Sequence, residues 1–412
     1  MNVPKLRFKD FTDKWENRKI KDFLLSHKGG APLRPADFVK NSGYEVIPKK
    51  AISSGGKLSL DLNDATFCSE SFFKSNARSV VDESYLITTL RDLVPSGPSI
   101  GYIVKFTSNK SYLLAQGVYG IKIDKNLDES FLIHYSNTDK YRVMMQTMMV
   151  GSTQVHIRNS DFFKTPINIP SLPEQTKIAN FLTAIDEKIT QLTQKCDLLA
   201  QYKKGVMQQI FSQKLRFKDD DGREFPEWKK RKIGELGRFI GGGTPTTQND
   251  EFWNGNIPWI SSSDLSEESI FQIKTTRFIS EKAISQSATK LVPKNSILIV
   301  SRVGVGKVAI AKEDICTSQD FTNLVLHSGN HVFFAYLLKT KTNKLLEFNQ
   351  GTSIKGFVKS DLEAFEIYAP VIQEQTKIAN FLTAIDDKIT QAQTQLEAVK
   401  LYKKGLLQQM FV

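Results

Sequence analysis

The chain has 412 residues, too many for one ordinary hydrophobic core, so roughly two or three domains are expected. Lysine and arginine outnumber aspartate and glutamate by 56 to 44, and the net charge of +12 favours a polyanionic partner, nucleic acid first. The three cysteines lie far apart without a CxxC motif, which disfavours a disulfide scaffold or a zinc ribbon and indicates a reducing compartment.

The first residues, MNVPKLRFKDF, lack the apolar region of a signal peptide. No apolar stretch in the sequence approaches the roughly 18 residues that are needed to span a bilayer. We therefore expect a soluble, cytoplasmic protein with no membrane partner.

Two internal repeats organise the chain. The first is KLRFKD at Lys5–Asp10, which recurs at Lys214–Asp219. Each copy leads to a tryptophan, Trp15 or Trp228, and then to an Arg-Lys-Ile sequence. The first half of the chain runs on into the second KLRF sequence, whereas the second half ends at the C-terminus. The N-terminal KLRF copy therefore resembles the continuation that the C-terminus lacks. The termini are therefore predicted to lie close together.

A first variable block follows the N-terminal repeat, and residues 1–173 are predicted to form one globular domain. Short β-branched and aromatic runs, YEVIPKKAI, SYLITTL, SIGYIVKF and YGIKI, predict strands separated by turn residues. The run FLIHYSNTDKYRVMM predicts helix. A mixed α and β domain is expected.

The second repeat is EQTKIANFLTAIDEKIT at Glu174–Thr190, which recurs with one Glu-to-Asp exchange at Glu374–Thr390. In both copies apolar residues alternate spacings of four and three, which is coiled-coil patterning. Long helices are predicted over residues 174–213 and 374–412. They are expected to pair with each other in antiparallel fashion, although an ordinary amphipathic core helix is the alternative.

The second variable block, residues 214–373, resembles the first in pattern. IPWISSSDL, SILIVSRVGVGKVAIA and TNLVLH predict strands, and HVFFAYLLKTKTNKLLEF predicts helix. The predicted fold class is therefore α+β. Two mixed α/β globular domains are separated by two long antiparallel coiled-coil helices, in a quasi-cyclic arrangement with a pseudo-twofold axis.

Motifs that carry chemistry are weak in this sequence. GRFIGGGTP at 237–245 resembles a nucleotide-binding loop, but no βαβ unit follows it, and GVGK at 304–307 lacks the spacing of a P-loop. The five histidines show no metal-ligand spacing. We therefore expect a binding protein that is not an enzyme and carries no metal or cofactor.

Basic residues near aromatic residues are the first candidates for contact with DNA phosphates, and a solvated surface charge is the alternative for each of them. They are Lys49, Lys50, Arg78, Arg91 and Arg142 in the first block, and Arg302, Lys307 and Lys355 in the second.

These motifs together resemble the specificity subunit of type I restriction-modification systems, over essentially the whole chain. The similarity is carried by the two EQTKIANFLTAID helices, their YKKGVMQQIF and YKKGLLQQMF ends, and GGGTPTTQNDEFWNGNIPWISSSDL. In the last segment, Thr244, Trp259, Ser261 and Ser262 are candidate DNA-contacting residues. The first block has KGGAPLRPADF there instead, so its DNA target should differ.

The resemblance implies a non-catalytic subunit in which each globular domain, a target recognition domain, reads one half of a divided site in double-stranded DNA. The helix pair would set the spacer. Two modification subunits, which bind S-adenosylmethionine and methylate adenine, and two restriction subunits, which use ATP and Mg²⁺, would be the protein partners. The repeated helices would dock the modification subunits through Ile178, Phe181, Ile185, Tyr202, Ile378, Phe381, Ile385 and Tyr402.

A second hypothesis stays open from the residues alone. The chain could be a coiled-coil scaffold whose globular domains bind protein rather than DNA. Binding to duplex DNA that weakens as the salt concentration rises would separate the two hypotheses, because phosphate contacts release counterions.

Overall fold

The computed structural model describes residues 3–40, 43–53, 55–60, 65–346 and 356–412, without the side chains of residues 342, 343, 345 and 346. The chain divides into two compact units. The first unit comprises Met1–Thr193 and Gln395–Val412, and the second comprises Gln194–Thr394. Each unit therefore contains the beginning of one long helix and the end of the other. The predicted four-part division groups the residues differently and stays a prediction.

Strands of the first unit fall mainly into two sheets. In chain order they are β1 (Glu16–Lys19), β2 (Leu24–Gly29), β3 (Phe38–Val39), β4 (Tyr44–Ile47), β5 (Ile52–Ser53), β6 (Lys57–Leu58), β7 (Thr66–Cys68), β8 (Val80–Val81), β9 (Leu86–Thr89), β10 (Arg91–Asp92), β11 (Ile103–Val104), β12 (Tyr112–Leu114), β13 (Val118–Ile123), β14 (Val155–His156) and β15 (Pro166–Ile169). One sheet has the antiparallel order β11-β9-β13-β2. The other has the order β3-β7-β4-β12-β8, with β4 and β12 parallel.

The first unit has short helices and the beginning of a long one. They are α1 (Glu70–Ser75), α2 (Glu129–Tyr135), α3 (Asp139–Met148), α4 (Asn159–Phe163) and the first part of α5 (Leu172–Phe211). The side chains of Ser69, Asp128 and Thr138 accept backbone N–H groups at the starts of α1, α2 and α3. The predicted helical run is thus two helices, because a new cap at Thr138 interrupts it.

The second unit repeats this plan. Its strands are β16 (Lys229–Lys232), β17 (Gly237–Gly241), β18 (Ile257–Ile260), β19 (Arg277–Ile279), β20 (Leu291–Val292), β21 (Ile297–Ile299), β22 (Val308–Ile310), β23 (Ile315–Thr317), β24 (Thr322–Leu326) and β25 (Glu366–Ala369). One sheet has the order β17-β24-β21-β22, and the other has the order β19-β18-β23-β20 with β18 and β23 parallel. Its helices are α6 (Glu281–Gln286), α7 (His331–Leu346), α8 (Lys359–Ala364) and the first part of α9 (Ile372–Met410).

The two long helices pair in antiparallel fashion inside each unit. In the first unit the Lys403 Nζ of α9 lies 2.5 and 2.7 Å from the carboxylate oxygens of Asp186 in α5. Leu182, which precedes Asp186, shares a core with Leu406, which follows Lys403. Residue numbers therefore fall along one helix as they rise along the other. The predicted antiparallel helices are confirmed, and each begins two residues earlier than expected.

The second unit has the same pairing with the helices exchanged. Lys203 of α5 donates to Asp386 of α9 at 2.5 Å, and Val206 shares a core with Leu382. Lys203 and Lys403 are the two residues that interrupt the apolar series in the sequence. The structure explains the interruption, because each lysine forms an ion pair with an aspartate of the facing helix.

The ends of the chain meet within the first unit. The backbone N–H of Leu6 donates to the carbonyl of Gln409 at 2.9 Å, and the Asn168 amide donates to the carbonyl of Val412 at 3.2 Å. In the second unit the N–H of Leu215 donates to the carbonyl of Gln209 at 3.1 Å, where the chain is continuous. The N-terminal KLRF segment thus contacts the end of α9 as the second KLRF segment contacts the end of α5, which confirms the predicted quasi-cyclic organisation.

A buried ion pair explains why both repeats carry an arginine and a glutamate. Arg7 of the first KLRF sequence donates twice to Glu174 at 2.7 Å. Arg216 of the second donates to Glu374 at 3.2 and 2.8 Å. Both carboxylates are almost fully buried, with 1% and 0% of the side chain exposed. Because two parallel N–H donors match a carboxylate, each KLRF segment is fixed to the start of a long helix. Among the described residues, no helix has the length and the apolar character that crossing a membrane would require.

Candidate nucleic-acid interface

In the second unit, four strands lead into loops that are joined to each other. Strands β17 and β21 both pair antiparallel with β24, so they point the same way, and β18 is parallel to β23. Backbone hydrogen bonds connect the residues that follow these strands. Gly243 N–H donates to the carbonyl of Thr317 at 2.8 Å, Ser318 N–H to that of Ile260 at 2.8 Å, and Ser301 N–H to that of Asp320 at 2.8 Å. We call residues 242–244, 261–264, 301–307 and 318–320 the second loop cluster.

The first unit contains the same arrangement. Ala31 N–H donates to the carbonyl of Leu114 at 2.8 Å, Ala115 N–H to that of Ile47 at 3.1 Å, and Leu90 N–H to that of Gly117 at 2.9 Å. These bonds connect the ends of β2, β12, β4 and β9 and the loops that follow them. We call residues 30–32, 48–50, 90–92 and 115–117 the first loop cluster.

The matching hydrogen bonds give a position-by-position correspondence between the clusters. Because Leu90 N–H and Ser301 N–H make the same bond, the next residues, Arg91 and Arg302, are equivalent. Ala115 N–H and Ser318 N–H likewise make the same bond, so Gln116 and Gln319 are equivalent. A further pair of bonds agrees, since Ile157 N–H donates to Leu90 and Phe357 N–H donates to Ser301. Each cluster therefore carries one arginine and one glutamine in the same framework, which we call the Arg–Gln pair.

Three of the five basic residues predicted in the first block lie in the first loop cluster. Arg91 begins β10, and Lys49 and Lys50 begin a short 3₁₀ helix after β4. An added Cβ on Gly117 would lie 3.0 Å from the Arg91 Cβ and 3.2 Å from the Lys49 Cδ, so these side chains converge there. Burial, and secondarily the Arg91 guanidinium, lowers the pKa of Lys49 below its ordinary value. This positive charge suits a phosphate or an electron-rich base edge.

The other two basic residues of the first block lie on other elements. Arg78 is exposed in a 3₁₀ turn after α1. Arg142 in α3 stacks over the Tyr102 ring at 3.7 Å, and burial lowers the pKa of Arg142 below its ordinary value. Contact of either residue with DNA remains a prediction, and the position of Arg142 indicates a packing role.

Four predicted residues of the second block, Thr244, Ser261, Ser262 and Arg302, lie in the second loop cluster and are at least partly exposed. Lys307 lies there too, but its Nζ donates to the carbonyls of Ser262 and Leu265, both at 3.3 Å. Lys307 therefore connects two loops. Lys355 lies outside the described residues.

The prediction that Trp259 contacts DNA is not supported by its position. Only 3% of the residue is exposed, so its ring cannot stack on a base, and it packs against Trp253 and Cys316. Its indole N–H donates to the carbonyl of Gly243 at 3.0 Å. Trp259 therefore supports the loop that carries Thr244.

Arg277, which the sequence analysis did not identify, organises this loop cluster. Its guanidinium lies over the Trp259 ring at 4.4 Å and donates to Ser261 Oγ at 2.7 Å and to Asp264. Asp264 also accepts the backbone N–H of Ser261 at 2.7 Å. The register of β18 and β19, which places Arg277 opposite Trp259, is what brings these residues together. The register of these two strands cannot be predicted from a local sequence motif.

A cleft of about 300 Å³ lies beside the first loop cluster. Polar and basic side chains line it, namely Arg91, Gln116, His156, Arg158 and Asn159. Sequence reasoning missed all but Arg91. The available signal is a weak sequence similarity between GSTQVHIRNSDF at 151–162 and GTSIKGFVKSDL at 351–362, since the first of these segments supplies four of the lining residues.

The predicted docking residues on the long helices divide into two groups. Ile178, Ile378 and Ile385 are buried in the cores of the units, and Phe181, Ile185 and Phe381 pack against those cores. Their apolar faces are therefore covered largely by this chain itself, which corrects the expectation that they are open to a partner. Tyr202 and Tyr402 are 52% and 56% exposed. Docking through these tyrosines remains a prediction.

The sequence of this chain matches the family model described as the type I restriction modification DNA specificity domain, at residues 12–200 and again at 226–401. The two matches lie on either side of the second KLRF repeat and correspond to the two halves of the chain.

Curated relatives carry related names. The chain is 33% identical over 207 residues to the type I restriction enzyme MjaIX specificity subunit of Methanocaldococcus jannaschii, covering 49% of this chain and 48% of that protein. It is 32% identical over 239 residues to the EcoR124I/EcoR124II specificity subunit of Escherichia coli, covering 56% and 57%. The chain thus spans about half the length of these two relatives. The putative MjaX specificity subunit is 22% identical over 423 residues, covering 98% and 95%.

Two solved structures share the fold. The type I restriction-modification S subunit from M. genitalium has a TM-score of 0.61 at 16% identity, covering 100% of this chain and 99% of that one. A chain from a study of complex assembly and conformational transition in the type I R-M system has a TM-score of 0.56 at 17% identity, covering 95% and 96%. At these identities the likeness concerns the fold alone.

Proposed function

The chain belongs to the type I restriction-modification DNA specificity domain family, and we propose that it supplies the DNA sequence specificity of a type I restriction-modification complex. Each unit reads one half of a divided site in double-stranded DNA through its loop cluster. The observation that carries the proposal is the pair of loop clusters. They share one hydrogen-bonded framework and one Arg–Gln pair but otherwise present different side chains, as two readers of different half-sites require.

The charge of the loop clusters supports a DNA partner. The first cluster presents Lys49, Lys50 and Arg91, and the second presents Arg302. Phosphate contacts by such residues provide affinity and fix the register, while polar side chains on base edges provide specificity. The net charge of +12 acts in the same direction.

The chemistry belongs to partner subunits in this proposal, and this chain is non-catalytic. Two modification subunits would bind S-adenosylmethionine and methylate adenine, and two restriction subunits would use ATP and Mg²⁺. Among the described residues, no group of three histidine, cysteine, aspartate or glutamate side chains could hold a metal ion. The chain itself would bind no cofactor.

The repeated helices would set the length of the unread spacer and dock the modification subunits. Exposed residues that recur in both helices, such as Tyr202 and Tyr402, would give two identical partners equivalent surfaces. This division of labour accounts for a chain whose helices repeat almost unchanged while its globular parts diverge.

The test is genome-wide mapping of methylated adenine in cells that express the chain with a modification subunit of this family. We expect a divided motif that is absent from cells lacking the chain. Exchange of the first variable block, residues 1–173, for that of another family member should change one half of the motif only.

The control is the same modification subunit with another specificity chain, which shows that the methyltransferase is active. If that control methylates its own motif and the present chain yields none, the proposed function is wrong. Salt-independent binding of the purified chain to protein but not to duplex DNA would then favour a scaffold.

A further inference from the structure

We infer that the two Arg–Gln pairs, Arg91 with Gln116 and Arg302 with Gln319, each read bases in the half-site of their own unit. This inference rests on the proposed function and names the residues that would carry it out. The pairs stand at equivalent positions of the two loop clusters. The two arginines directly follow Leu90 and Ser301, whose backbone N–H and carbonyl groups are both hydrogen-bonded.

The neighbours of the pairs differ while the pairs themselves agree. Arg91 lies between Leu90 and Asp92, whereas Arg302 lies between Ser301 and Val303. Gln116 lies between Ala115 and Gly117, and Gln319 lies between Ser318 and Asp320. The same two residue types at equivalent positions in otherwise divergent loops point to a shared task.

The arginines of the pairs also differ from other basic residues nearby in their side-chain contacts. In the described ranges of the chain, the guanidinium groups of Arg91 and Arg302 take part in no hydrogen bond or ion pair. Arg277 and Lys307, by comparison, are bound to neighbouring loops. Gln116 and Gln319 are exposed. The pairs can therefore form new hydrogen bonds without breaking existing ion pairs of the fold.

Arginine and glutamine are suited to reading bases in the major groove. An arginine fork donates to both O6 and N7 of guanine, and a glutamine amide can donate to N7 of adenine while accepting from its N6 amino group. Adjacent arginine and glutamine side chains could thus distinguish neighbouring base pairs. We expect each pair to read part of one half-site, with Arg91 and Arg302 on guanine.

The two glutamines differ in one respect. The Thr244 hydroxyl donates to Gln319 Oε1, so this amide has its N–H donors left for a ligand. The position equivalent to Thr244 is Pro32, because Ala31 and Gly243 make the same backbone bond, and proline has no hydroxyl. The Gln319 oxygen therefore already accepts one hydrogen bond, which favours donation from its amide N–H groups to purine N7 or O6. Gln116 has no such partner at position 32, so its amide can donate and accept, as adenine requires.

The experiment maps methylated adenine in cells that express the modification subunit with the wild-type chain or one of four variants, Arg91→Ala, Gln116→Ala, Arg302→Ala and Gln319→Ala. Each variant should relax one base pair in one half of the motif and leave the other half unchanged. The ratio of methylation at correct sites to that at single-mismatch sites should fall about 5- to 150-fold, which is the discrimination of one good bidentate contact. The first two variants should affect one half-site and the last two the other.

Matched controls separate readout from general loss of positive charge or of an amide. Arg231→Ala and Gln146→Ala remove exposed residues from β16 and α3, outside the loop clusters, and should leave the motif unchanged. Arg302→Lys keeps the charge for a phosphate but not the fork for guanine. Cells with this variant should therefore show methylation of the relaxed motif. Thr244→Val should widen the base preference at the Gln319 position by a few-fold only.

The outcomes distinguish the two proposals. No divided motif with the wild-type chain would count against the proposed function itself. A wild-type motif that all four alanine variants reproduce unchanged would overturn the inference. It would also be overturned if Arg302→Lys restored the wild-type motif in full, because the arginine would then contact phosphate, or if Arg302→Ala and Arg302→Lys both abolished methylation.

Discussion

Asp186 and Asp386 occupy the same position in the repeated helix sequence, and each forms an ion pair with the lysine that interrupts the apolar series of the facing helix. Their surroundings differ. The Asp186 side chain is 41% exposed, and its lysine partner, Lys403, is 19% exposed. The Asp386 side chain is 9% exposed, with Lys203 at 7%.

The difference arises from residues of the two variable blocks that lie beside these aspartates. Asp128, just before α2, donates its backbone N–H to Gln175 of the first long helix, and Asn330, just before α7, donates its N–H to Gln375 of the second. These two positions are equivalent, and so are His134 and Tyr336, which follow them by six residues. The Tyr336 hydroxyl donates to Asp386, whereas the His134 ring nitrogen lies 3.8 Å from Asp186. The same aspartate of the repeated helix therefore contributes differently to the stability of the two units, because different residues pack against it.

The largest effect is expected from Asp386→Ala. This substitution leaves Lys203 buried without a counter-charge and Tyr336 without an acceptor, and it should destabilise the second unit by about 3–5 kcal/mol. Asp186→Ala should cost the first unit only about 1 kcal/mol, since that pair is partly solvated. Native-state hydrogen exchange of the full chain measures both, because peptides from each unit report separately.

The chain supplies matched controls for this comparison. Asp387 and Glu187 directly follow the two aspartates and are exposed. Their alanine variants remove the same charge and should alter protection by less than about 0.5 kcal/mol. Equal losses from Asp386→Ala and Asp186→Ala would contradict the assigned role of burial.

Acid should weaken the first unit through His134. Burial, and secondarily the Lys403 charge, lowers the pKa of His134 from 6.5 to about 4 in the folded unit. The unfolded chain therefore binds a proton that the folded unit does not, so this stabilisation is present above pH 6.5 and is lost as the pH falls toward 4. The full loss is about 3 kcal/mol. Peptides of the first unit should lose exchange protection over this range.

The variant His134→Gln lacks the titrating group and should flatten this pH dependence. His27→Gln removes an exposed histidine from β2 and should retain it. An unchanged pH profile in His134→Gln would assign the acid sensitivity to other groups.

The sequence predicted those parts of the fold whose signal is local. The spacing of apolar residues determines a helix face by itself, so α5 and α9 were located to within two residues at each end. The run of β-branched residues in SILIVSRVGVGKVAIA likewise predicted β21, a turn and β22. The repeated KLRF segment also predicted that the chain ends meet, because the two halves had to be alike.

The sequence could not predict which side chains share a site, because sheet register decides that. Arg277 reaches Ser261 only because β19 pairs with β18, and Gln319 reaches Thr244 only because two loops meet. Trp259 was expected at the surface, but it is buried in a strand whose neighbouring residues are buried too. The apolar series of the long helices predicted a helix pair, yet it did not show that the globular units cover much of that series.

The smallest expected difference between the two units concerns the tryptophans that follow the KLRF repeats. Trp15 and Trp228 are both buried, at 3% and 6% exposure. The Trp228 indole N–H donates to Glu374 at 3.2 Å, whereas in the described part of the chain the Trp15 indole N–H has no acceptor. Trp228→Phe should therefore cost about 1.5–3 kcal/mol, the range for a hydrogen bond to a charged group, on top of the packing loss that both substitutions share. Trp15→Phe should cost only that packing loss. Equal destabilisation of the two units by hydrogen exchange would show that ring volume, and not the bond to the carboxylate, decides the outcome.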